Sequence, residues 1–122
     1  DHVGVAARKN SAALILQKIK SMTRPGDPVI LMGDFNSDPG SEAYTTITGL
    51  LLDSKTADKR MTMGPDGTFN GFDPAKPAKE RIDFIFTSKK NIDVLNYNTL
   101  RESREGRYAS DHYPVFAEIK IR

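Results

Sequence analysis

The chain has 122 residues, enough for one hydrophobic core but not for several domains. Lys and Arg number 18 against 16 Asp and Glu, and a formal net charge of +2 is too small to indicate nucleic-acid binding by itself. The absence of cysteine excludes disulfides and thiolate metal ligands, and it leaves the compartment open. No apolar run approaches the ~20 residues of a membrane-spanning helix.

The first part of the chain predicts a helix, a strand and a second, shorter helix. Apolar residues recur at helical spacing over 6–22, which indicates an amphipathic helix. The uninterrupted apolar run over 29–32 is typical of a central strand buried on both faces. A polar turn begins at Asn36, and Ser41 is expected to start a short helix that stops at Gly49.

The second part predicts mainly strands. Residues 82–87 and 92–100 have strand composition, and 68–72 is expected to form a short strand or its edge. The proline- and lysine-containing stretch 73–80 is expected to be a mobile loop. Strict alternation over 115–121 predicts a strand with one buried face and one wet face. Helices and strands together predict an α/β (α+β) fold.

Three short motifs carry the polar groups that suggest a chemistry. They are Gly33-Asp34-Phe35-Asn36, Arg81-Ile82-Asp83-Phe84-Ile85-Phe86 and Ser110-Asp111-His112-Tyr113-Pro114-Val115. Each lies at the end of a predicted strand. Three carboxylates, an amide and a histidine are the groups that a metal-assisted phosphoester hydrolase needs to orient water, neutralise phosphate charge and stabilise a leaving oxygen.

Each motif also has a purely structural interpretation. Asp34 and Asn36 are residue types that bond their own backbone in a turn after a strand. The Ser110 motif is equally consistent with a capped strand or loop. Asp83 differs, because a charge within an apolar stretch is costly unless it lies at a strand end or is paired. The three motifs together therefore favour an active site.

The three motifs, in this order and at these intervals, resemble the endonuclease/exonuclease/phosphatase superfamily, which includes DNase I-like nucleases, sphingomyelinases and inositol-phosphate phosphatases. The resemblance implies a DNase I-like two-sheet αβ sandwich, with a mixed but mostly antiparallel sheet and flanking helices. It further implies a divalent-metal-dependent phosphoesterase that acts on phosphodiesters or phosphomonoesters, with Mg²⁺ or Mn²⁺ as cofactor.

The resemblance also implies a role for each motif residue. Asp34 would orient or deprotonate the attacking water, and Asn36 would donate to a phosphate oxygen. A spacing of two in an extended segment is expected to point both side chains the same way. Asp111 would hold the metal. His112 would contact the scissile phosphate as an imidazolium, with Asp83 against its other ring nitrogen. Whether Asp34 or His112 is the base stays open.

The family's domain is about twice this length, and its principal metal ligand is a Glu in the first half. Nothing in residues 1–33 matches that segment. The chain is therefore expected to be the C-terminal portion of a single domain over residues 1–122, to lack activity alone, and to self-associate through the face that the missing half would cover. His2, which resembles the tail of a family motif, is expected to be structural.

Substrate and partners follow less directly. The expected partner is a phosphate-ester substrate: nucleic acid, phospholipid or inositol phosphate. Six basic residues are interpreted first as solvated loop charge, and the alternative is a basic rim for a polyanionic substrate. They are Lys76, Lys79, Arg81, Arg101, Arg104 and Arg107. The alternative function is a non-catalytic module of the same fold that binds a phosphorylated ligand or a partner chain.

Overall fold

In a computed structural model, residues 2–57 and 64–122 are described, with the backbone alone for residues 2 and 3. Helices and antiparallel strands are both present, which confirms the α+β class. The elements are α1 (His2–Met22), β1 (Ile30–Asp34), α2 (Glu42–Thr48), β2 (Leu51–Asp53), α3 (Ser54–Ala57), β3 (Asp83–Ser88), β4 (Ile92–Thr99) and β5 (Val115–Ile121). No described helix has the length and apolar character needed to cross a membrane.

The strands form two antiparallel sheets. In the larger sheet β3 lies in the middle, with β1 on one side and β2 on the other. β4 and β5 form the second sheet, and their register shifts between Val94 and Asn96. The prediction of a central strand buried on both faces over 29–32 is therefore wrong. β1 lies at an edge among the described residues, where Ile30 is 46% and Met32 is 69% exposed.

The main core lies where β3 meets the two longer helices. Phe84 and Phe86 of β3 stack on each other with centroids 5.2 Å apart. Phe35 contacts both rings edge-on, as expected for the apolar residue between two polar ones. Other core side chains come from both helices and β2, and they are Ala12, Ala43, Ile47 and Leu51. This packing holds the end of β1 against the start of β3.

Local signals placed α2 accurately. Ser41 caps the helix by accepting a hydrogen bond from the backbone N–H of Tyr44, and the helix ends at Gly49, as predicted. Other boundaries differ from the prediction. The strand predicted from residue 82 begins at Asp83, and α3 has no predicted counterpart. The His2 side chain lies outside the described residues.

A buried ion pair connects β2 with the residues just before β3. Arg81 donates to Asp53 Oδ2 at 2.7 Å, and the hydroxyl of Tyr44 donates to the same oxygen at 2.8 Å. The backbone N–H of Lys55 donates to the other carboxylate oxygen, and the guanidinium lies over the ring of Phe84. Arg81 is therefore not part of a solvated basic rim. Its charge is compensated inside the protein.

Replacing Asp53 by Ala is expected to lower the free energy of unfolding by about 3–5 kcal/mol, because it leaves the buried Arg81 charge without its counterion. Denaturant unfolding of the chain measures this loss. The matched control is Asp93→Ala, which breaks the exposed pair with Arg122 and should cost about 1 kcal/mol or less. Equal losses in the two variants would contradict a structural role for the buried pair.

Candidate active site

Two of the predicted site carboxylates face each other across neighbouring strands. Asp34 is the last residue of β1 and Asp83 is the first of β3, and the antiparallel register pairs them directly. Like charges in this arrangement repel each other. The pair therefore needs a cation or a protonated group beside it.

His112 is the group that lies beside both acids. Its Nδ1 is 2.7 Å from Asp83 Oδ2, which is a short hydrogen bond. Its Nε2 is 3.8 Å from Asp34 Oδ2 and 4.0 Å from Asp111 Oδ1. Three of the five predicted site residues thus surround the imidazole of a fourth. The predicted contact between Asp83 and the second ring nitrogen of His112 is present.

The three carboxylates raise the pKa of His112. The hydrogen bond to Asp83 is the largest cause, burial opposes it, and the charges of Asp83, Asp34 and Asp111 add to the rise. The ring therefore keeps its second proton to a higher pH than an ordinary histidine. With Nδ1 bonded to Asp83, Nε2 faces Asp34 and Asp111.

Asn36 has a backbone conformation that strand geometry does not predict. The strand ends at Asp34, and Asn36 adopts a left-handed conformation with φ of 48°. The extended alternation expected for these two residues is therefore wrong. Instead, the backbone N–H of Asn36 donates to Asp34 Oδ1 at 2.8 Å, which forms a turn and orients the carboxylate. The role of the Asn36 side chain stays a prediction.

Residues 68–70 support the site, a role that the sequence did not predict. The Thr68 hydroxyl accepts hydrogen bonds from the N–H groups of Ile82 and Asp83. The ring of Phe69 meets the ring of His112 edge-on at 5.3 Å, and the two residues form an isolated antiparallel bridge. Asn70 donates its backbone N–H to the carbonyl of Asp111 at 2.7 Å. The Thr-Phe-Asn pattern indicated only a short strand, because the partners of its polar groups are distant in sequence.

The donor set suits a hard divalent cation. Within the described parts of the chain, Asp34, Asp83 and His112 each offer one ligand atom, and these atoms lie within 4.8 Å of one another. Asp83 and His112 already bond each other. The carboxylates of Asp34 and Asp111, whose side chains are 39% and 45% exposed, are therefore the oxygen donors best placed to contact a cation. Oxygen donors of this kind fit Mg²⁺ or Mn²⁺.

Comparison with known proteins places the chain among the members of one family. The model of the Endonuclease/Exonuclease/phosphatase family matches residues 2–112. A mannosyl-6-phosphatase from Bacteroides thetaiotaomicron VPI-5482 is 39% identical with a TM-score of 0.83, covering 98% of this chain and 48% of that one. A family protein from Bacteroides thetaiotaomicron is 37% identical with a TM-score of 0.85, covering 100% and 46%.

A functionally unknown conserved protein from Enterococcus faecalis V583 is 34% identical with a TM-score of 0.87, and the match covers 100% of this chain and 47% of that one. No curated protein sequence matches the chain. The chain spans about half the length of each of these solved structures. The family model covers most of the chain, and these relatives share more than a third of its residues. The chain therefore belongs to the endonuclease/exonuclease/phosphatase family.

Proposed function

We propose that this chain forms part of a divalent-metal-dependent phosphoesterase and carries most of its catalytic residues. The observation that supports the proposal best is the contact of one imidazole with Asp83 at 2.7 Å and with two further, partly exposed carboxylates. A metal-assisted phosphoryl transfer needs a protonated group that can contact the phosphate, together with hard oxygen donors.

In the proposed reaction, a water oxygen bonds to phosphorus, the bond from phosphorus to the ester oxygen breaks, and the released alcohol takes up a proton. Asp34 orients the water and accepts its proton, because its carboxylate is exposed and is held by the N–H of Asn36. His112 contacts the phosphate through Nε2 as an imidazolium, since its pKa is raised by Asp83. Asn36 donates to a phosphate oxygen.

Asp111 is assigned as a metal ligand. Its carboxylate would hold Mg²⁺ or Mn²⁺, since oxygen ligands suit either ion, and the ion would supply positive charge to neutralise the phosphate oxygens. The backbone carbonyl of Asp111 is fixed by the N–H groups of Asn70 and Gly71, so its carboxylate starts from a rigid segment. These hydrogen bonds would keep a metal-ligating carboxylate on a loop in a fixed orientation.

The substrate is a phosphoric ester. A relative 39% identical to the chain is described as a mannosyl-6-phosphatase, which makes a sugar phosphomonoester the first substrate to test. Nucleic acid, phospholipid and inositol-phosphate esters complete the test panel. Hydrolysis of none of them, with retained binding of a phosphorylated ligand, would favour the non-catalytic alternative.

We further propose that residues 1–122 are the C-terminal portion of one domain. The relatives are about twice as long, and β1 exposes Ile30 and Met32 at an edge that has no strand partner among the described residues. Apolar strand edges of this kind are normally covered. The preceding half-domain would cover this edge in the longer protein.

The first prediction concerns activity. In the longer protein, Asp34→Asn is expected to lower kcat by about a hundredfold or more, because it removes the proton acceptor and keeps the shape of the side chain. A chelator should abolish turnover and added Mg²⁺ should restore it. The measurement is the release of inorganic phosphate from the monoesters and of the cleaved alcohol and phosphomonoester from the diesters. The 122-residue chain alone should show no turnover above blank.

The control for this experiment is Asp93→Asn, an exposed acid on β4 outside the site. Its kcat should match that of the unsubstituted protein. If Asp34→Asn retained full activity, or if the isolated chain turned over substrate in a metal-dependent manner, the assignment of Asp34 or of the missing half-domain would be wrong.

The second prediction concerns protonation of His112. Its folded-state pKa should lie above the ordinary 6.5. Asp83→Asn should lower this pKa more than Asp111→Asn does, because Asp83 contributes the hydrogen bond. NMR titration of the ring protons measures both. A larger effect of Asp111→Asn would contradict the ranking.

The same shift has a consequence for stability. A raised folded-state pKa stabilises the protein fully below the unfolded-state pKa and progressively less as the pH rises through the folded-state value. The difference in unfolding free energy between the unsubstituted chain and Asp83→Asn should therefore be largest in mild acid and decline toward neutral and alkaline pH. A difference independent of pH would exclude this linkage.

The third prediction concerns assembly. The isolated chain should self-associate at high concentration, because β1 exposes an apolar edge. Met32→Glu should shift sedimentation toward the monomer, whereas Leu100→Glu, which places the same charge at an exposed position just after β4, should not. A monomer at every concentration would contradict the proposal.

A further inference from the structure

Residues 68–70, here called the clamp segment, lie between the two stretches of chain that carry the site. Its backbone bonds run to both sides. The N–H of Thr68 donates to the carbonyl of Glu80 at 2.8 Å, and the carbonyl of Thr68 accepts from the N–H of Tyr113 at 2.6 Å. One side thus holds the approach to Asp83, and the other holds the residue after His112.

Thr68 makes this connection with its side chain as well. It is fully buried, and its hydroxyl oxygen accepts from the N–H of Ile82 at 3.0 Å and from that of Asp83 at 3.2 Å. Both donors lie at the point where β3 begins. A buried N–H that loses its acceptor costs free energy, so the hydroxyl fixes the backbone from which Asp83 projects.

We propose that Thr68 is a positioning residue, which sets the Asp83 carboxylate against Nδ1 of His112. The two catalytic residues are 29 positions apart, and their side chains meet at 2.7 Å. Thr68 bonds the backbone of Asp83 and that of Tyr113, the residue after His112, so it joins the two segments that carry the pair. The catalytic meaning of this assignment rests on the proposed function, whereas the structural effect does not.

The distance matters because a hydrogen bond of this length weakens steeply when its atoms separate. Without the hydroxyl, the N–H groups of Ile82 and Asp83 must find water or another acceptor, and the start of β3 must move to do so. Phe69 adds a second restraint, since its ring contacts the imidazole edge-on. That restraint stays in place when only Thr68 is changed.

The experiment compares three substitutions in the longer protein, because the 122-residue chain alone is expected to self-associate. Thr68→Val keeps the shape of the side chain and removes the acceptor. Thr68→Ser keeps the acceptor and removes a methyl group. Thr87→Val is the matched control, because Thr87 is also fully buried, lies in β3 itself, and its hydroxyl has no hydrogen-bond partner among the described residues.

The readout is the NMR signal of the His112 Nδ1 proton, recorded at a pH where the ring is protonated, together with amide hydrogen exchange at Ile82 and Asp83. The strongly downfield Nδ1 signal reports the hydrogen bond to Asp83. We expect Thr68→Val to lose or shift this signal and to speed exchange at the two amides by tenfold or more. Thr68→Ser and Thr87→Val should leave the signal unchanged.

The serine variant separates positioning from general stability. It should melt at a lower temperature than the unsubstituted chain and yet keep the His112 signal, whereas a residue with a purely packing role would affect the two together. If Thr68→Val retains the signal in the folded chain, or if Thr68→Ser loses it while still folded, the proposal is overturned. Should Thr68→Val not fold, the serine variant alone decides.

Activity of the longer protein gives a separate reading. Thr68→Val should lower kcat by about tenfold or more with little change in KM, and Thr68→Ser should restore most of it. An inactive unsubstituted protein would refute the proposed function while the NMR result still decides the role of Thr68. Normal kcat for Thr68→Val in an active protein would overturn its positioning role.

Discussion

The site depends on the opposition of two carboxylates across adjacent strands. Asp34 and Asp83 occupy partner positions in an antiparallel pair, where their charges repel. Such an arrangement costs stability unless a positive group compensates it. His112 supplies that group through its contact with Asp83 and its approach to Asp34, and the same acids raise its pKa. The net charge of the site and the protonation of the imidazole therefore depend on each other.

Around this cluster the protein uses buried polar bonds to hold backbone that apolar packing alone would leave free. Asp53 compensates Arg81 on one side of Asp83, and the Thr68 hydroxyl binds the backbone on the other. Every one of these contacts joins residues that are far apart in sequence. The buried aromatic pair Phe84 and Phe86 follows Asp83 in the same strand, so apolar packing anchors this strand as well.

Local sequence signals were sufficient for some parts of the structure. The hydroxyl of Ser41 and the glycine at position 49 bounded α2 correctly, because a helix cap acts within one turn of the chain. Alternation over 115–121 likewise predicted β5, where Val115, Ala117 and Ile119 are less exposed than the residues between them, although Ile121 is exposed. The motif containing Asp83 indicated that its charge is paired or at a strand end, and it is both.

Other features depended on neighbours that the sequence does not name. An apolar run predicted a central strand, but β1 lies at the edge of the described sheet. Apolar residues indicate that a strand should be covered, but they do not indicate which segment covers it. Arg81 looked like a surface charge until its counterion in β2 was known. Asn36 looked extended, although its bond to Asp34 bends the chain immediately after the strand.

By itself, the sequence determined which chemical groups are available and where the longer helices and strands lie, since caps, turns and side-chain alternation act over a few residues. Only the tertiary structure decided that Asp34, Asp83, Asp111 and His112 meet, and that Thr68 bonds the backbone of Asp83 and of the residue after His112. The physical reason is that strand register and burial are set by packing between distant segments. A motif names its side chains, but the distances between them belong to the fold.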